Sequence, residues 1–348
     1  MKSSKVSLYE FGYSFLAPVL NLYTRQVVKH AHGHRVICLA REGWLFHKLL
    51  DKLIRKNLIS IEHAPVYLKV SRTLLFRSML GDPEGWEYAL ENKFEGSVLN
   101  LMMKRFGLQM HEVYNLLPSA LLDFTLSLPT DKVKVIQWLT PHKQRLQCYV
   151  EPTRDALERY LARELNGVAS QTPLMLDIGY AGTIQKIITR IIKRDTCGLY
   201  FIANSSEPHP VGSYSASMRG VLKENIKWST GYLMLERSLL LESILTAPHG
   251  QVIDIRCLSD GEFDFYYGQA AGPQTHSQDL EAIFEGAIDG VEEGLRLNIE
   301  YSVEDIENLY VGFATSPSAI PEAAFHLFNV DDDFSGTGVI SPMKLFSL

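Results

Sequence analysis

The segment Asp177-Ile178-Gly179-Tyr180-Ala181-Gly182-Thr183 combines a carboxylate, two glycines and a hydroxyl in an order suited to holding an anion. Asp177 closes an apolar run, the glycines bend the chain, and Thr183 opens a helical pattern that continues through Gln185. Unpaired N–H groups and the dipole at a helix start attract negative charge, and glycine lets a phosphate approach the backbone. A plain strand-to-helix turn with Thr183 as its N-cap is the alternative. Arg41-Glu42-Gly43-Trp44 follows an earlier apolar run in the same way. Arg41 offers bidentate donors to phosphate or carboxylate, though an ordinary ion pair with Glu42 would occupy it equally well. Ser71-Arg72 follows a third run. The expected phosphate-binding set is therefore Arg41, Gly43, Ser71, Arg72, Gly179, Tyr180, Gly182, Thr183 and Gln185. Asp177 would orient a sugar hydroxyl or a divalent cation.

Glu236 and Glu242 lie in the apolar segment LMLERSLLLESILTAP. A carboxylate among leucines is costly unless it is paired or its pKa rises, and a raised pKa would suit a general base. Alternatively each occupies a narrow solvent face of its helix. Six residues set the two about 120° apart around a helix, so they do not readily face one point. Asp177, Glu236 and Glu242 are the candidate catalytic groups. His30, His32 and His34 read as an exposed helix end rather than a metal site, since no Asp or Cys stands beside them. Asp331-Asp332-Asp333 with Ser335-Gly336 imitates half a calcium loop, but Pro342 occupies the place of the bidentate glutamate. No metal ligands are assigned. HExxH, the P-loop, GxSxG and a full GxGxxG are all missing from the sequence.

Two strand-turn-helix-strand units must position these groups. Arg35 to Ala40 predicts a strand, Trp44 onward a helix with Leu45, Phe46, Leu49, Leu50, Leu53 and Ile54 inward, and Pro65 to Val70 a second strand. Pro173 to Asp177, a helix with Ile187, Ile188, Ile191 and Ile192 inward, and Gly198 to Ala203 repeat the plan. Right-handed crossovers then imply an α/β fold with a Rossmann-like, mainly parallel sheet, its turns emerging on one edge. Residues 74–167 predict a large helical insertion, Asn204 to Ser217 a loop rich in Ser, Pro and Gly, and Tyr232 to Leu245 a helix. Val252 to Cys257 and Glu262 to Tyr267 predict a hairpin, and Ser302 caps a later helix. The expected division is a core over 1–250 and a hairpin plus helical region over 251–348.

The composition suits a packed intracellular protein. Of 348 residues, 46% are hydrophobic and 21% charged, enough apolar material for a sizeable core. A net charge of -6 offers no global field for nucleic acid. Four scattered cysteines without CxxC spacing suggest cytosolic thiols. The N-terminus lacks a secretory pattern and no apolar run is long enough to span a bilayer, so a cytoplasmic location without an integral membrane segment is expected.

Several pieces together resemble a family of predicted hydrolases of the haloacid dehalogenase (HAD) superfamily found in bacterial surface-polysaccharide gene clusters. They are GYSFLAP from Gly12, LAREGW, Val70-Ser71-Arg72, DIGYAGTIQ, and the glutamate helix ending Ala247-Pro248-His249-Gly250. The resemblance implies a part in building surface glycans, with a phosphorylated sugar or nucleotide sugar as ligand and a glycan-assembly protein as a potential partner. The paired-aspartate HAD motif is not found at a strand end here; the resemblance implies that it belongs to a separate N-terminal domain. In layout, the two turns are also similar to type I phosphoribosyltransferases, although Asp177 stands alone where that family carries two acids. Glycosyl transfer is the expected reaction, with a non-catalytic scaffold as the alternative.

Overall fold

The computed structural model describes residues 2–165, 171–332 and 335–348; the predicted insertion boundary at Gly167 and the calcium-loop residue Asp333 lie outside them. The first predicted unit forms as strand β1 (His34–Leu39), a helix over Gly43–Arg55 and strand β2 (Val66–Leu68). The insertion carries six α-helices of seven or more residues, from Arg72–Ser78 to the long Lys143–Leu165, and one antiparallel pair, β3 (Phe94–Ser97) with β4 (Thr125–Leu128). The second unit follows as β5 (Thr172–Tyr180), a helix over Thr183–Ile192 and β6 (Thr196–Ala203).

Beyond β6 the structure corrects the expected loop. Asn204 to Ser217 contains β7 (His209–Val211) and the start of β8 (Tyr214–Lys223). Buried Ala216 and Met218 alternate with less buried Ser215, Ser217 and Arg219, a period-two pattern obscured by its small residues. The six strands form one sheet in the order β2-β1-β5-β6-β8-β7, parallel except for the β7–β8 pair.

Alternation along β1 and β5 explains the layers. Val36, Cys38, Leu174 and Leu176 join the core containing Leu45, Phe46 and Leu49 of the Gly43–Arg55 helix. Ile37, Leu39 and Met175 join the other core, which contains Ile187 and Ile188 of the Thr183–Ile192 helix. The two crossover helices thus cover opposite faces, as strands buried on both sides require. From the β1–β5 boundary one connection runs outward to β2 and the other outward to β6. Such a switch in direction opens a crevice at the carboxyl ends of the strands.

Residues 2–30 form a near-continuous rod: a helix over Lys2–Phe11, a π-helical turn over Gly12–Leu16 and a helix over Ala17–His30. The rod packs along the helix Ser277–Arg296. Gly286 lies so close to the Tyr9 carbonyl, and Gly12 to that of Ile283, that a Cβ at either position would overlap backbone. Leu8, Phe11 and Phe15 consequently share one core with Leu280, Ile283 and Phe284. The predicted hairpin is present as β9 (Val252–Cys257) and β10 (Phe263–Tyr267), and Val252 and Ile255 join the core of the insertion. A last short pair joins β11 (Val330–Asp332) to β12 (Gly338–Ile340). Ser302 caps the helix Val303–Thr315 through a reciprocal box with Asp305. No helix among the described residues is long and apolar enough to cross a membrane.

Candidate functional site

Each of the two predicted turns carries an acid at the mouth of the crevice. Where β1 ends, the Glu42 carboxylate folds back on its own turn and accepts the Arg41 backbone N–H at 3.0 Å. The Asp177 carboxylate, near the end of β5, accepts the Ile178 N–H at 2.8 Å. The peptides Ala40–Arg41 and Gly179–Tyr180 are both cis. Arg72 is exposed as the first residue of the helix Arg72–Ser78, just past β2. The fourth contribution comes from the apolar segment, where the structure breaks the predicted Tyr232 to Leu245 helix into Leu233–Glu236 and Leu239–Ile244. Ser238, at the break, donates to the Glu242 carboxylate at 3.1 Å.

These charges form one electrostatic unit. Burial pushes Asp177 well above the ordinary carboxylate range; the Glu42 charge pushes in the same direction, and Glu242 adds to it. The Ile178 N–H and the Arg72 guanidinium pull the other way. Glu242 is pushed up to about 7, first by burial and then by Glu42, against the opposing pull of Arg72, the Ser238 hydroxyl and Arg41. Asp177 and Glu242 are crowded by protein yet keep some contact with solvent, as a group that exchanges protons with a ligand must. A carboxyl titrating near neutrality can serve as either proton donor or acceptor there. Beside Glu242 lies a cavity of about 30 Å³ lined by Ile178, Tyr180, Phe201, Leu235, Ser238 and Leu241. That volume has room for about two water molecules and none for a sugar phosphate.

On the β2 side the mouth is aromatic. The Tyr67 hydroxyl bonds His249 Nε2 at 2.8 Å, and His249 Nδ1 lies 2.8 Å from the Gly250 carbonyl. With Nδ1 donating to that carbonyl, Nε2 accepts from Tyr67, the pattern of a neutral imidazole. Burial lowers the His249 pKa, and the charges of Lys69 and Arg41 add to that effect. Trp44 meets Tyr67 and His249 edge-on at ring-centroid distances of 5.2 and 6.4 Å.

The remaining predicted residues have mainly architectural tasks. Gly43 is buried against the β1 backbone, where a Cβ would lie 2.5 Å from the Cys38 carbonyl carbon. Ser71 caps its helix by accepting the Leu74 N–H and donates to the Val252 carbonyl. Gln185 is fully buried, with its amide bonded to Thr196, Ser217 and Tyr200. Gly43 packing and the Ser71 and Gln185 hydrogen bonds hold the elements around the crevice in place. The N-cap of the Thr183–Ile192 helix is Gly182, at φ +65°, and no side chain caps it, so Thr183 is the first helical residue. Gly182 leaves no space for a Cβ beside Met218, and Gly179, at φ +132°, leaves none beside the Ile202 carbonyl. Both positions also hold a positive φ, so glycine is favoured at each by the fold itself. Tyr180 is half-buried and meets Trp228 edge-on at 6.1 Å. Glu236 accepts the Gly231 N–H at 2.8 Å, closing its own turn.

In the sequence Glu42 reads only as an ion-pair partner for Arg41; the structure adds it to the charged group at the sheet edge. Glu42 lies three residues past the end of β1, whereas Asp177 lies inside β5, so the shared carboxyl edge of the sheet was the available signal. Tyr67 and His249 gave no separate signal, because 182 residues separate them in the chain. No family model matches this sequence, and no curated protein matches it.

Proposed function

We propose that the chain is a group-transfer enzyme whose substrate is a phosphorylated sugar or nucleotide sugar, bound in the crevice between the β1 and β5 turns. The observation that carries this reading is the mutual electrostatic influence of Glu42, Asp177, Glu242, Arg41 and Arg72, which come from four separate segments.

Arg41 and Arg72 neutralise the phosphate and stabilise it as the leaving group, aided by the uncapped helix start at Thr183. Asp177 orients a sugar hydroxyl. In the glycosyl transfer we favour, the bond from the anomeric carbon to the phosphate oxygen breaks, with its electron pair passing to phosphate. The acceptor hydroxyl forms the new bond to that carbon and its proton passes to the ionised Glu242 carboxylate. The aromatic face of Trp44, Tyr67 and His249 supplies an apolar side wall to the crevice. This reading treats the sheet as Rossmann-like and assigns the protein to surface-glycan assembly, in keeping with the family resemblance of DIGYAGTIQ and its companion segments. Asp177 would be the residue to hold a divalent cation, which would supply further charge neutralisation for the leaving phosphate.

The test is release of nucleoside phosphate from a panel of nucleotide sugars, in wild type and in Glu242→Gln. General-base assistance is typically worth about 10²–10⁴-fold, so the variant should lose that much turnover while still binding donor. Its wild-type rate should rise with pH through about 7, as Glu242 loses its proton. Turnover unaffected by Glu242→Gln removes the proposed mechanism, and binding without turnover in the wild type makes the chain a binding module.

A further inference from the structure

On another part of the molecule, two histidines and an aspartate converge where the start of the helix Ser277–Arg296 meets a 3₁₀ helix over Glu322–Leu327. The donor atoms of His276, Asp279 and His326 all lie within 4.8 Å of one another, the one such trio of metal-capable side chains among the described residues. His326 Nε2 is 3.0 Å from Asp279 Oδ2, and the two imidazoles meet edge-on with centroids 4.5 Å apart.

We propose that His276, Asp279 and His326 form a binding site for a divalent first-row transition metal of the zinc type. Two imidazoles and one carboxylate suit such ions, while magnesium and calcium prefer all-oxygen sets. Donors about 2.0–2.1 Å from one tetrahedral ion stand roughly 3.4 Å apart, so the three side chains would draw together from their present spacing to close on a metal. The backbone that carries the ligands is already held. The His276 carbonyl accepts the Asp279 and Leu280 N–H groups at 3.0 and 3.2 Å. On the opposite side, the His326 carbonyl accepts from Asn329 at 3.1 Å, and Gly272 packs against it with no space for a Cβ. An ion pair between His326 and Asp279 alone would have no use for His276, whose exposed side chain adds a third donor on the solvent side. Three protein ligands leave a coordination position open to solvent or a small ligand. The bound ion would clip the C-terminal segment to the helix that packs on the N-terminal rod.

The test uses the full chain stripped with chelator and titrated with zinc by calorimetry, with cobalt(II) absorption as a second readout. The expected result is one zinc per chain, visible cobalt d–d bands, and no comparable binding of magnesium or calcium. Loss of an outer-sphere partner weakens metal sites by about 10–100-fold, so His276→Gln and Asp279→Asn, which remove ligands, should each weaken zinc by more than about 100-fold. His276 is exposed, so His276→Gln should leave the metal-free unfolding temperature unchanged and report on binding alone. Absence of zinc binding, or tight binding that His276→Gln and Asp279→Asn leave intact, overturns the proposal.

Discussion

Glu242 joins the chemistry of the site to the stability of the fold. Its folded pKa of about 7 lies above the ordinary glutamate value of 4.5. The folded protein therefore holds this proton more tightly than the unfolded chain does, and stability falls as pH rises between those two values. The favourable contribution is complete below about 4.5 and has gone above about 7. Glu242→Gln retains the neutral shape, so it should flatten this part of the stability profile. At pH 8 it should be more stable than wild type by on the order of 2 kcal/mol, below the full equivalent of the shift because Glu242 keeps some solvent contact. Urea unfolding from pH 5 to pH 8 measures this. Parallel profiles for the two proteins would mean that Glu242 ionises as an ordinary surface acid.

Among the elements, the N-terminal rod and the helix Ser277–Arg296 depend on close approach. Gly286→Ala puts a methyl group into the Tyr9 carbonyl, which is backbone and cannot swing aside. Overpacking of this kind typically costs about 1–3 kcal/mol, which a shift in the urea midpoint would show. An unchanged midpoint would contradict the tight packing of rod and helix. The sequence made the crossover helices legible because their leucines and isoleucines recur at helical spacing, and it made the Asp-Gly hairpin legible through its turn. The rod was harder to read: it faces partners about 280 residues away, and its π-helical turn interrupts the 3.6-residue period. The broken Tyr232–Leu245 helix was hidden for another reason. Its leucines, methionine and glutamates favour helix, but tertiary bonding turns the chain at Arg237, whose carbonyl accepts the Tyr310 hydroxyl at 2.7 Å. That break orients the short helix bearing Glu242. For the candidate site, the turns and their arginines were legible from strand ends. The coupling of Glu42 to Asp177 and Glu242 was not, since it arises only once β1 and β5 lie side by side.

Across the whole molecule, the sheet gathers widely separated charges at one edge. With all five groups ionised, the three carboxylates and two guanidinium groups leave one net negative charge in the crevice. Protonation of Glu242, near pH 7, removes that negative charge. Anion binding should accordingly strengthen as pH falls from 8 to 6, with protons taken up on binding. The most direct measurement is thermal unfolding of wild type, Arg41→Ala and Arg72→Ala at these two pH values against nucleotide sugars, sugar phosphates, phosphoribosyl pyrophosphate and plain nucleotides. A ligand at 100 times its Kd adds about 2.7 kcal/mol to the apparent stability, a readily visible shift. The account predicts that phosphorylated sugars or nucleotide sugars stabilise the wild type, more strongly at pH 6 than at pH 8, and that both arginine variants lose most of the shift. No shift from any of these ligands, or equal shifts in wild type and variants, would contradict it.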